Sequence, residues 1–129
     1  MPPMRAERAT QFMTELLAVW TETDPAIRRA AIKSHYQDDI VFYDRDGVFT
    51  GHADLESFSD SLQQRFPGQH FEMVGEPSVV GNALRTYWRF GPVSGMDFAV
   101  ITDDRVSTLY AFVERPDEQP ADDAAVRAG

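Results

Sequence analysis

The chain has no cysteine, which removes disulfides, thiol nucleophiles and thiolate metal ligands from consideration. It also has no apolar run near the ~20 residues of a membrane-spanning helix, and "MPPMRAERAT" carries no apolar core of a secretion signal. A cytoplasmic protein is expected. Positive charge is scarce: 12 Lys and Arg stand against 21 Asp and Glu, a net charge of −9. Nucleic acid and anionic membrane would be repelled, so neither is an expected partner. His35, His52 and His70 lack a ligand-pair spacing such as i, i+4, and no "GxSxG" elbow accompanies the serines. "DRDG" opens like a calcium loop, but Val48 takes the next ligand position and Gly47 comes too early. No metal and no cofactor is expected.

What is present suits one core: 129 residues, of which 43% are hydrophobic. Phe12, Met13, Leu16, Leu17 and Trp20 recur at helical spacing. Asp24 or Thr23 then caps a second helix with Pro25 in its first turn, and Ile27, Ala31, Ile32, His35 and Tyr36 form its inner stripe. "DDIVFYD" reads as a strand that returns through "DG" into "VFT". A third helix carries Leu55, Phe58, Leu62 and Phe66, and four further strands follow, separated by Gly, Pro, Asn and Asp turns. Early helices followed by a meandering, mostly antiparallel sheet predict an α+β layer fold. The expected organisation is a tail over 1–8, a single domain over 9–114, and a Pro-, Asp- and Ala-rich tail over 115–129 with little to bury.

Two strand acids stand out. Asp44 shares a strand face with Ile40 and Phe42, and Asp97 alternates with Met96 and Phe98 in "GMDFAV". If both point inward, desolvation disfavours their charged forms, and unlike surroundings can split the pair into one base and one protonated donor. The alternative is that one or both face solvent or make a local hydrogen bond at a strand end. Trp20, Phe58, Phe66, Trp88 and Phe90 fall on inner faces, where they either fill a core or line a cavity at the mouth of a curved sheet. Tyr36, with its apolar ring and polar tip, suits such a wall. Arg85, Tyr87 and Arg89 share the face opposite Trp88, as either a solvated exterior or a polar dimer contact.

The order helix, "TETDP", helix, "YQDDIVFYDRDGVFTG", "LESFSDSLQQRFPG" and "RTYWRF…GMDFAVITDDRVSTLYAFVE" resembles the nuclear-transport-factor-2-like superfamily over residues 9–114. Within it, the ketosteroid-isomerase-like and SnoaL-like (polyketide-cyclase-like) proteins are most similar. The resemblance implies a cone-shaped α+β barrel, with a curved, mostly antiparallel sheet wrapped on N-terminal helices. It also implies an open apolar pocket for a small apolar or ring-containing ligand, and a homodimer through the sheet face. In register, Asp44 takes the place of the isomerase's general base and Asp97 that of its second acid. The oxyanion tyrosine of the first helix falls near Leu16, which donates nothing, and Tyr36 is the candidate replacement. The implied pocket comprises Trp20, Phe42, Phe58, Leu62, Phe66 and Trp88. Isomerase, cyclase or dehydratase chemistry with Asp44 as base is one implied function, and a non-catalytic ligand-binding or homodimeric interaction module is the other. An interaction module predicts a filled interior and an exposed apolar patch on the sheet; catalysis predicts an inward Asp44 with a raised pKa in a cavity able to hold a ring-sized ligand.

Overall fold

A computed structural model describes residues 5–114. Residues 1–4 and the 115–129 stretch expected as a tail lie outside the described residues. Three helices precede or interrupt a six-stranded sheet: α1 (Ala6–Val19), α2 (Pro25–His35), β1 (Tyr36–Asp44), β2 (Gly47–Thr50), α3 (Gly51–Arg65), β3 (Phe71–Val80), β4 (Ala83–Phe90), β5 (Val93–Thr102) and β6 (Arg105–Glu114). Helix α1 begins at Ala6, so residues 6–8 of the expected N-terminal tail are helical. Strand order is β2-β1-β6-β5-β4-β3, with β1 parallel to β6 and every other pair antiparallel.

Local chemistry accounts for the boundaries. Asp24 Oδ1 accepts from the backbone N–H groups of Ala26 at 2.9 Å and Ile27 at 3.3 Å, and Pro25 fills the first helical position. Asp103 and Asp104 both take positive φ, 51° and 65°, which turns β5 into β6. Register shifts interrupt β1 between Tyr36 and Val41, β3 between Val74 and Ser78, and β5 between Val100 and Ile101. Such irregularities bend strands and increase their twist. The sheet therefore curves rather than lying flat under the helices.

The core forms where the apolar stripe of α1 meets the inner face of the sheet: Met13, Leu16, Ile40, Leu84, Val106 and Leu109 are essentially inaccessible. In α2 the expected inner stripe needs correction. Ile27 is 56% exposed, while Arg28 is 4% exposed. The helix is rotated so that the Arg28 stem lies inside, with Nη2 donating to Asp60 at 2.7 Å and Nη1 to the Glu22 carbonyl at 3.1 Å, while the buried Nε meets no partner among the described residues. Tyr36, placed by periodicity at the end of α2, is instead the first residue of β1.

Candidate functional site

Between the end of α1, helix α3 and the concave side of the sheet is a cavity of about 100 Å³. Its first wall starts at Trp20, whose carbonyl accepts from Ser59 Oγ at 3.0 Å and Gln63 Nε2 at 3.2 Å on α3. With its backbone fixed, the Trp20 ring stacks on Phe42 at 5.5 Å and meets Phe58 edge-on at 5.4 Å. The second wall comes from β3 and β4, where Phe71 packs edge-on to Trp88 at 5.1 Å and stacks on Phe90 at 4.3 Å. Phe66, at the end of α3, meets Phe90 at 5.6 Å and adds a partly exposed ring to the lining.

Asp97 lies on this lining and is 4% exposed. Trp88 Nε1 donates to its Oδ1 at 2.9 Å. Burial pushes the Asp97 carboxyl up to about 7; the Trp88 hydrogen bond opposes that rise and the charge of Asp44 adds to it. The indole can lie over β5 because its cross-strand partner is Gly95. A Cβ there would sit 2.4 Å from the Trp88 ring and 2.5 Å from the Phe112 carbonyl, neither of which leaves room. Gly95→Ala is therefore expected to lower stability by about 1–3 kcal/mol, as overpacking does, and to displace the indole from Asp97. Urea unfolding and the Trp88 indole N–H resonance check this; an unchanged midpoint and resonance would contradict it.

Asp44 stands at the end of β1, half-buried on the same cavity. Burial raises its pKa, while the backbone N–H of Asp46, 3.2 Å from Oδ2, pulls the other way. The Asp44 charge adds to the rise at Asp97, and because Asp97 is fully buried and Asp44 only half-buried, Asp44 is the first of the two to ionise. Outside it the rim carries Arg45, Asp46 and Arg65, with Arg65 Nη1 3.8 Å from Asp46 and its guanidinium 5.6 Å from the Phe66 ring centre.

Of the expected site residues, Asp44, Asp97, Trp20, Phe42, Phe58, Leu62, Phe66 and Trp88 come together on the cavity. Tyr36 does not line it. Its side chain is fully buried, 6.0 Å from Trp20 between ring centres, and among the described residues its hydroxyl meets no hydrogen-bond partner. Burial first, and then the charge of Asp97, push that phenol well above its ordinary value, so it stays neutral. Leu16 is core, also away from the cavity. Sequence reasoning missed Phe71, Val93, Ala111 and Val113, which reach the lining through the bend of the sheet, and the rim residues Arg45, Asp46 and Arg65. For Arg65 the signal was its position one residue before Phe66 at the end of α3. Among the described residues no cluster of three Asp, Glu or His is arranged to hold a metal.

No protein-family model and no curated protein matches the chain. Solved structures do. A SnoaL-like family protein from Agrobacterium tumefaciens superposes with a TM-score of 0.79 at 22% identity, over 84% of this chain and 98% of that one. A SnoaL-like protein of unknown function from Burkholderia thailandensis gives 0.73 at 19% identity, over 88% and 99%. A protein with a ketosteroid-isomerase-like fold from Catenulispora acidiphila, solved in complex with trimethylamine, gives 0.67 at 14% identity, over 79% and 84%. The chain thus has the cone-shaped α+β fold expected from its motifs.

Proposed function

We propose, from the fold shared with SnoaL-like and ketosteroid-isomerase-like proteins and from the acids on the cavity, that the protein binds a small apolar or ring-containing molecule and moves a proton on it. The observation that carries this reading is the placement of Asp44 and Asp97 on one ring-lined cavity. A buried acid near neutrality and a more accessible acid that ionises first are unlike partners. Asp44 is then the base, taking a proton from carbon or oxygen of the ligand, and Asp97 is the donor to a ligand oxygen. Isomerisation, cyclisation and dehydration share that proton removal. With Leu16 where a phenol would help, the reaction lacks a donor whose loss elsewhere costs about 10²–10³ in rate. The cytoplasm is the proposed setting.

The test is a thermal-shift and NMR screen of single-ring ketones, lactones and phenols. A bound ligand raises the melting temperature and moves the indole resonances of Trp20 and Trp88. The reading fails if no such compound does either.

A second observation favours assembly of two copies through the sheet. The outer face exposes Tyr43, Tyr87, Phe98, Tyr110 and Phe112, with Tyr43 and Tyr110 stacked at 4.6 Å. Arg85 and Arg89 are exposed on the same face of β4 as Tyr87. An aromatic face flanked by arginines suits an interface. The wild type is expected to run as a dimer in light scattering and Phe112→Glu with Tyr110→Glu as a folded monomer; a wild-type monomer at high concentration contradicts the assembly. A homodimer with an idle cavity would be the non-catalytic module.

A further inference from the structure

We propose that the group this cavity holds is a small alkylammonium, such as a trimethylammonium head, seated between Asp44 and Asp97 with its methyl groups against the rings. Such binding presupposes that the cavity is the ligand site, as above, and needs no proton transfer afterwards.

The distribution of charge argues for a cation. The groups on or beside the cavity are Asp44 from β1, Asp97 from β5, Arg65 from α3, and Arg45 and Asp46 from the β1–β2 turn; Tyr36 is outside the lining and neutral. Both arginines are at the rim, and Arg65 faces Asp46 there. The other two charged lining groups are acids, and the Arg65 charge also acts on one of them, Asp44. An anion would meet both of them, and a neutral ligand would leave Asp97 with a hydrogen bond at most. A cation gains from each carboxylate.

The walls argue in the same direction. Trp20, Phe42, Phe58, Phe71 and Trp88 surround the space, and aromatic faces attract ammonium groups, most strongly where water is excluded. The space is small: about 100 Å³ is less than the ~150 Å³ of an engineered cavity that accepts benzene, so a ligand must extend through the mouth. The net charge of −9 draws cations towards the protein as a whole.

Proton linkage gives the proposal its signature. Asp97 titrates near 7 in the empty cavity, and a bound cation favours its ionised form. Below that pH, binding must expel one proton; above it, none. The experiment is calorimetry with choline, tetramethylammonium and the neutral carbon isostere of choline, in which a tert-butyl group replaces trimethylammonium. Choline is expected to bind at least tenfold more tightly than the isostere. Its affinity should fall about tenfold per pH unit below about 7 and level off above. Asp97→Asn should remove that slope, and Asp44→Asn should weaken choline at every pH. Equal binding of choline and its isostere, or an affinity flat with pH in the wild type, overturns the proposal. If neutral single-ring compounds bind and the ammonium probes do not, the ligand site stands and the ammonium falls. If none binds, both fall.

Discussion

Asp97→Asn is expected to match the wild type in stability near pH 4 and to exceed it by about 4 kcal/mol near pH 8. An unfolded aspartate has its ordinary pKa of about 3.9, whereas burial in the folded chain pushes Asp97 up to about 7. Between those values the unfolded state has released the proton and the folded state still holds it. The unfolded state therefore binds fewer protons, and stability falls as pH rises through that window. The gap of roughly three pKa units, at 1.36 kcal/mol each, gives the figure of about 4 kcal/mol. Asparagine keeps an oxygen for Trp88 Nε1 and never ionises. Other carboxyls titrate in the same range, so the informative quantity is the difference between variant and wild type from urea unfolding at a series of pH values. A difference that does not grow between pH 4 and 8 would show that Asp97 is not held as a buried acid.

Asp44→Asn is expected to have the largest effect on chemistry. If Asp44 is the base, its loss should slow exchange of an activated C–H of a bound ring ketone for deuterium by about 10²–10⁴, the usual contribution of a positioned base. Ligand affinity for a neutral ketone should change far less. The same substitution removes the charge that helps raise Asp97, so the Asp97 midpoint should fall. Deuterium incorporation followed by NMR reads the first effect and a carboxyl titration reads the second. Exchange at the wild-type rate with a bound ketone would remove Asp44 from the base role and leave a binding module.

Much of this site was legible because strand periodicity is strict. Ile40, Phe42 and Asp44 had to share a face, so an inward Phe42, which is 2% exposed, carried Asp44 towards the same interior. The same rule took Asp97 inward with Ala99. Helical spacing gave the α1 stripe and the aromatic positions on α3. Helix phase was harder to read in α2, because an arginine with a long apolar stem can occupy an inner position when a carboxylate and a carbonyl await its head. Ile27 was displaced outward by that arrangement. Tyr36 does point inward with Ile40 and Phe42, but it is the first residue of β1 and packs into the core there, while the cavity lies towards Asp44 at the other end of the strand. Whether the interior would be solid or hollow depended on the bends at Val74–Ser78 and Val100–Ile101. Phe71, Val93 and Val113 line the space, and local pattern does not encode the register shifts that curve the sheet. The space opposite Gly95 was equally hidden, since a glycine in a strand reveals a close approach only when its neighbour is known.

The most direct test of the paired-acid cavity is a carbon-detected NMR titration of the Asp44 and Asp97 carboxyls in the unliganded protein. Asp97 is expected to titrate near 7, with Asp44 ionising at lower pH though above its ordinary value. An Asp97 midpoint at or below about 4, the ordinary range for aspartate, would mean that water reaches this carboxyl and that the ring-lined acid site does not exist in solution.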